Sequence, residues 1–130
     1  LKNMSLADTT GYADPETVFA LFKNILSLDS AVECTCHFHN TYGLGIVNAY
    51  AALKAGVKYF EASCGGLGGC PFAKVAGGNL CTEDFVLMLQ KFGIRTDINL
   101  NLLIEVANKI SQHLQKDLPG IIYKTDRIPL

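Results

Sequence analysis

The sequence predicts an α/β fold in which parallel strands alternate with helices. Three observations predict it: segments with strand-like alternation, helical spacing of apolar residues between them, and glycine or Asp-Pro breaks at their ends. Parallel strands need a long crossover, usually a helix, so this order indicates βαβ units. A doubly wound sheet and a (β/α) barrel both fit the pattern.

The first half of the chain reads as strand, helix, strand, helix. Residues 1–7 form the first strand, and Asp14 and Pro15 begin the first helix, because aspartate caps free N–H groups and proline suits the first helical position. The apolar positions of this helix recur at helical spacing: Val18, Leu21, Phe22 and Ile25. The second strand covers residues 31–39, and the second helix covers residues 44–55 and closes at Gly56.

The second half begins with a third strand over residues 57–63, followed by a glycine-rich loop over residues 65–78. The third helix starts at Thr82 with acidic residues in its first turn and ends at Gly93. A fourth helix spans residues 99–115, and the tail from Pro119 shows no clear period.

Bulk composition limits the classes of function. The 130 residues carry a net charge of −1, which gives no electrostatic reason to expect nucleic acid or an anionic membrane surface as a partner. No apolar run approaches the roughly 20 residues that span a bilayer, and there is no signal-peptide pattern. The five cysteines suggest no disulfide framework and favour a reducing compartment. Because the chain opens at Leu1 inside a strand, we interpret it as part of a longer protein.

The second strand carries the most informative residues. Alternation along a strand points His37 and His39 to one face and Cys34, Cys36 and Phe38 to the other. Two imidazoles on one face can share a metal ion, whereas a Cys/His zinc cluster cannot form on a regular strand. In the alternative interpretation, both histidines are core residues that are hydrogen-bonded to their neighbours and bind no metal ion.

Ligand groups in parallel α/β folds sit at the carboxyl ends of the strands. Asp8, His37, His39 and the loop that begins at Gly65 all fall at those ends. The sequence therefore predicts a functional site at this rim.

Three stretches resemble the hydroxymethylglutaryl-CoA lyase family. Residues 66–73 read Gly-Leu-Gly-Gly-Cys-Pro-Phe-Ala and, with residues 77–80 and 82–84, resemble the signature loop of those enzymes. Residues 37–43 resemble the paired metal histidines, and residues 6–11 resemble the end of the sixth barrel strand. The histidine motif is shared with metal-dependent aldolases and Claisen-type synthases, but the Gly-Gly-Cys-Pro loop is far more specific to the lyases.

The resemblance implies that residues 1–130 are the carboxyl-terminal part of a single TIM (β/α)8 barrel, about strands six to eight, with an extra helix. It implies Mg²⁺ or Mn²⁺ bound by His37, His39 and Asn79. The family's remaining ligand, an aspartate in an Arg-Asp-Gly motif, and that motif's arginine are not in this sequence. Two departures, Gly77 before Gly78 and Asn40 in place of aspartate, should be tolerated.

The implied reaction cleaves 3-hydroxy-3-methylglutaryl-CoA to acetyl-CoA and acetoacetate. Cys70 lies in a loop able to close over a substrate and is the first catalytic candidate. His37 could also relay a proton. Asp8 is a proton-relay or metal-supporting carboxylate. In the alternative interpretation, Cys70 is an unreactive residue of a turn and Asp8 only braces its own loop. The remaining cysteines are assigned to packing: Cys34, Cys36, Cys64 and Cys81.

The expected partners are an acyl-CoA substrate and either a second copy in a homodimer or the missing amino-terminal part of the barrel. The expected location is the cytoplasm in a bacterium or the mitochondrial matrix in a eukaryote. Three competing hypotheses remain: a related aldolase or Claisen synthase, a non-catalytic half-barrel, and a small zinc module.

Overall fold

The computed structural model describes residues 2–69 and 77–125, and in them strands and helices alternate as predicted. The strands β1, β2 and β3 form one parallel sheet in consecutive order. The elements in chain order are β1 (Asn3–Asp8), α1 (Pro15–Leu28), β2 (Glu33–Phe38), α2 (Gly45–Ala55), β3 (Tyr59–Glu61), α3 (Thr82–Lys91) and α4 (Leu100–Leu114). Short 3-10 turns occur at Cys64–Gly66 and Ile122–Lys124.

Capping residues define the helix ends. The Asp14 carboxylate accepts a hydrogen bond from the Thr17 N–H, and Pro15 occupies the first helical position, as predicted. Gly56 ends α2 in the left-handed conformation, with φ of +112°. Asn99 caps α4 by accepting from the Leu102 N–H.

The third strand is shorter than predicted. The sequence predicts residues 57–63, but the ladder with β2 covers only Tyr59–Glu61. The reason is competition for the backbone: the Val57 N–H donates to the Ala52 carbonyl at the end of α2. At the other end Ser63 pairs with Cys81 instead of with β2.

The helices cover one face of the sheet. Cys34, Cys36 and Phe38 of β2 are buried against Val18 and Phe22 of α1 and against α2, which confirms the predicted facing of the cysteines. A second apolar cluster joins α3 and α4 to the carboxyl-terminal segment. Consecutive strand order with helices on one face is the arrangement of a barrel segment, whereas doubly wound sheets carry helices on both faces. Among the described residues, no helix is long and apolar enough to cross a membrane.

We predict that the 130-residue chain, expressed by itself, self-associates. Among the described residues β1 and β3 pair with β2 alone, so each presents an open parallel edge. Unpaired strand edges are templates for pairing with other chains. Light scattering of the purified chain should show oligomers or aggregates, and a stable monomer at all concentrations would contradict this expectation.

Candidate active site at the carboxyl ends of the strands

The two predicted histidines lie together at the end of β2. Their ring centroids are 5.1 Å apart and the ring planes are inclined by 64°. His39 is 7% exposed, and its pKa is lowered first by burial and then by the neighbouring His37, against a smaller opposing effect of Asp8. Burial therefore favours the neutral imidazole, which is the form that binds metal ions.

Asn79 is brought to the histidines by a segment that folds back beside β2. Asn79 forms an isolated antiparallel bridge with His39. The Leu80 N–H donates to the Phe38 carbonyl at 2.9 Å, and the Asn40 N–H donates to the Gly78 carbonyl at 2.9 Å. The sequence motif alone could not show this pairing, because the three predicted ligands come from two separate segments.

The unpaired polar atoms of this cluster fit a bound cation. Asn79 donates its side-chain N–H to the Leu67 carbonyl at 2.9 Å, which leaves its Oδ1 free. Asn79 Oδ1 and His39 Nδ1 are both buried without a hydrogen-bond partner among the described residues. A buried polar atom without a hydrogen bond lowers the stability of the fold by about 1–3 kcal/mol, and a ligand that contacts the atom would recover this free energy. Imidazole nitrogen and amide oxygen are suitable ligands for a divalent metal ion.

The described residues do not complete a metal site by themselves. Within residues 2–69 and 77–125, no group of three or more His, Cys, Asp and Glu side chains is placed to hold a metal ion. The two imidazoles and the Asn79 amide would together form only a partial ligand set. The remaining ligands would have to come from another segment, from water or from a substrate.

Asp8 braces its own loop in this structure. Its carboxylate accepts from the backbone N–H groups of Gly11, Tyr12 and Ala13 at 3.0–3.1 Å. In the sheet register Asp8 lies beside Phe38, and Ala7 lies beside His37. The alternation of β1 thus assigns Asp8 to the helix-covered face, and its role in proton transfer stays a prediction.

Cys70, the predicted proton carrier, lies outside the described residues, so its role also stays a prediction.

The structure shows what Asn40 and Gly77, the two departures from the family pattern, do in this chain. Asn40 accepts from the Gly45 N–H at 2.9 Å, so the amide oxygen caps the start of α2. At Gly77 a Cβ would overlap the Thr41 backbone, so in this chain glycine is required there.

Cys64 and Cys81 do more than pack. The fully buried Glu83 carboxylate accepts from both thiols, at 2.9 and 2.8 Å, and from the Gly65 N–H at 2.8 Å. Glu83 therefore ties the base of the glycine-rich loop to the start of α3. Sequence reasoning interpreted Glu83 only as a first-turn acid favoured by the helix dipole; its burial could not be seen in the sequence.

Glu61 is a second residue that sequence reasoning missed. It ends β3 beside His37, and its Oε2 lies 3.0 Å from His37 Nδ1. The available signal was an acidic residue at the carboxyl end of the strand that follows the histidine strand.

We predict that Cys64 and Cys81 resist alkylation in the native protein. Burial, and then the hydrogen bond to Glu83, raise the pKa of both thiols, that of Cys64 to about 12. At pH 8 Cys64 is then almost entirely the unreactive thiol. Mass spectrometry after iodoacetamide treatment should find both cysteines unmodified until the protein is denatured, and rapid native labelling of Cys64 would contradict this assignment.

Comparisons with known proteins identify the family of the chain. The HMGL-like family model matches residues 2–110. The chain is 44% identical over 119 residues to (R)-citramalyl-CoA lyase of Chloroflexus aurantiacus, covering 92% of this chain and 38% of that protein. It is 39% identical over 120 residues to hydroxymethylglutaryl-CoA lyase YngG of Bacillus subtilis, covering 92% of this chain and 40% of that protein.

Solved structures show the same likeness. An HMG-CoA lyase from Acinetobacter baumannii, in complex with coenzyme A and 3-methylmalate, superposes with a TM-score of 0.87 at 45% identity, covering 100% of this chain and 44% of that chain. The chain spans about two fifths of the length of the relatives it matches. By the family model and these identities, the chain belongs to the HMGL-like family.

Proposed function

We propose that this chain is the carboxyl-terminal part of a metal-dependent carbon–carbon lyase that acts on a 3-hydroxyacyl-CoA. In this proposal residues 1–130 supply about strands six to eight of a TIM barrel, and 3-hydroxy-3-methylglutaryl-CoA is the first candidate substrate. The proposal is carried by the pairing of His37 and His39 at the carboxyl end of β2 and by Asn79, which is bridged to His39. Among the described residues the side-chain oxygen of Asn79 is buried without a hydrogen-bond partner.

The proposed cofactor is Mg²⁺ or Mn²⁺, held by His37, His39 and Asn79. Such a cation supplies Lewis acidity for the negative charge that develops on the hydroxyl and thioester oxygens. The oxygen of Asn79 suits these hard ions, since its amide nitrogen is already committed to the Leu67 carbonyl.

The proposed reaction needs no co-reactant. A base takes the proton of the tertiary hydroxyl, and the O–H electron pair forms the ketone of acetoacetate. The bond between the hydroxyl-bearing carbon and the carbon beside the thioester breaks, and its electron pair becomes the enolate of acetyl-CoA. A proton returned to that carbon completes the product. Cys70 and His37 are the proposed proton carriers, and Asp8 is the third proposed catalytic residue, as a proton-relay carboxylate.

A second candidate substrate is (R)-citramalyl-CoA. The relative with that activity is 44% identical to this chain, compared with 39% for the hydroxymethylglutaryl-CoA lyase of Bacillus subtilis. Both thioesters carry a tertiary hydroxyl and would be cleaved by the same bond-breaking step. The choice between them depends on groups that contact the acyl chain.

Assembly and location are also proposals. The open edges of β1 and β3 favour association with an amino-terminal barrel segment, and a homodimer of the complete protein is the proposed quaternary state. The relatives from Arabidopsis thaliana and Homo sapiens, each 40% identical, are mitochondrial hydroxymethylglutaryl-CoA lyases. The mitochondrial matrix is therefore proposed for a eukaryotic source and the cytoplasm for a bacterial one.

The full-length protein that contains this chain should release acetoacetate from 3-hydroxy-3-methylglutaryl-CoA in the presence of Mg²⁺ or Mn²⁺. Chelation should abolish turnover and added cation should restore it, because the cation stabilises the developing charge. The same assay with (R)-citramalyl-CoA compares kcat/KM for the two substrates. A larger kcat/KM for citramalyl-CoA would favour the second candidate, and no cleavage of either thioester would refute the proposal.

Replacing His39 by Ala in the full-length protein should remove metal-dependent turnover. Loss of a residue that only hydrogen-bonds to a metal ligand lowers metal affinity roughly 10–100-fold. We expect the loss of His39, a ligand in this proposal, to lower Mn²⁺ affinity by more than that. His113→Ala is the matched control, because His113 is exposed in the last turn of α4. Equal Mn²⁺ affinity of the two variants, measured by calorimetry, would show that His39 is not a ligand.

A further inference from the structure

Glu61 and His37 face each other across neighbouring strands. The parallel register pairs the two residues directly, so their side chains stand on the same face of the sheet. Glu61 Oε2 lies 3.0 Å from His37 Nδ1, which is hydrogen-bonding distance. This is the face that the described helices leave open, and it is the face of the predicted ligands.

The contact determines where the imidazole carries its proton. An ionised carboxylate can only accept hydrogen bonds, so His37 must donate to Glu61 from Nδ1. A neutral imidazole has a single N–H group, and Nε2 is then left with the free electron pair. The hydrogen bond therefore fixes both the tautomer and the rotation of the His37 ring.

His39 has no equivalent support. Its Nδ1 is buried without a hydrogen-bond partner among the described residues, and its ring is held by burial beside His37. Asp8, the carboxylate that the sequence suggested for a supporting role, is occupied by three backbone N–H groups. Of the two carboxylates, Glu61 is the one that contacts a histidine.

Stability alone is a weak reason for this pair. The His37 side chain is 28% exposed and that of Glu61 is 54% exposed. Exposed ion pairs contribute about 0–1 kcal/mol, so removing Glu61 should have little effect on folding. Metal-binding histidines, by contrast, commonly donate their second N–H to a carboxylate, which orients the ring and increases its basicity.

We propose that Glu61 is a positioning residue for the metal site: its carboxylate holds His37 as the Nδ1–H tautomer, so that Nε2 is the atom that binds the cation. This inference rests on the metal site of the proposed function. It assigns to Glu61 the supporting role that the sequence suggested for Asp8.

The test uses the full-length protein that contains this chain, with Glu61→Ala, Glu61→Gln and the matched control Glu33→Ala. Glu33 lies at the opposite end of the same sheet and accepts from the Tyr59 hydroxyl at 2.9 Å, so its removal also deletes an exposed hydrogen bond. Circular dichroism of all three variants should match that of the unmodified protein.

Two readouts follow, both independent of turnover. At pH 8, nitrogen NMR of the ¹⁵N-histidine-labelled, metal-free protein should show His37 as the Nδ1–H tautomer, and Glu61→Ala should show a mixture. Mn²⁺ affinity should fall about 10–100-fold in Glu61→Ala and stay within about threefold in Glu61→Gln, whose amide oxygen still accepts from Nδ1. Glu33→Ala should change neither the His37 tautomer nor the Mn²⁺ affinity.

Four results would overturn the proposal: an Nε2–H tautomer in the unmodified protein, no Mn²⁺ binding by it, equal Mn²⁺ affinity of Glu61→Ala and Glu33→Ala, or a loss in Glu61→Gln as large as in Glu61→Ala. The last result would mean that charge, not orientation, matters. If the tautomers and affinities are as expected but neither thioester is cleaved, the proposed substrates fail and the role of Glu61 stands.

Discussion

Parallel pairing of the three strands places Ala7, His37 and Glu61 in one row across the sheet. Because side chains alternate along a strand, a shift of one residue in β2 would turn His37 toward the helices and bring Cys36 or Phe38 to the open face. The buried cysteines and Phe38 oppose such a shift, since their burial depends on the same register. The apolar core thus fixes the direction in which the histidines point.

Close backbone approach provides the second half of the arrangement. Asn79 reaches His39 only because the preceding residues have no side chain: a Cβ on Gly77 would overlap the Thr41 backbone, and one on Gly78 would overlap the Gly66 carbonyl. Gly78 also has a φ of +76°, which other residues rarely adopt. Glu83 holds the same loop base from the far side through the Gly65 N–H. The glycines and the buried carboxylate are therefore part of how the amide oxygen is presented.

The order of strands and helices, the facing of the histidine strand and the capping of α1 could be predicted from local patterns. Such patterns reflect neighbours in sequence, and they fail where the partner is distant. The third strand is cut short by the Val57 hydrogen bond to α2 and by the pairing of Ser63 with Cys81. The sequence indicated Glu83 only as a first-turn acid and indicated no role for Glu61, because Gly65 and His37, which they contact, lie 18 and 24 residues away. For Asp8, the position at a strand end predicted a role beside the histidines; in the structure three nearby backbone N–H groups donate to its carboxylate, and its role in proton transfer stays a prediction.

Charge explains why the proposed ligand set would be only part of a metal site. Two imidazoles and an amide are neutral ligands, whereas Mg²⁺ and Mn²⁺ prefer sites that include carboxylate oxygen. Among the described residues, the Asp8 carboxylate at this end of the sheet is engaged by backbone N–H groups, that of Glu61 by His37 and that of Glu83 by the base of the loop. In the proposed site a further anionic ligand would come from outside the described residues, such as the aspartate of the Arg-Asp-Gly motif that the family resemblance implies. Since the cation would then join that aspartate to His37, His39 and Asn79, metal binding and the joining of the two parts of the barrel would stabilise each other.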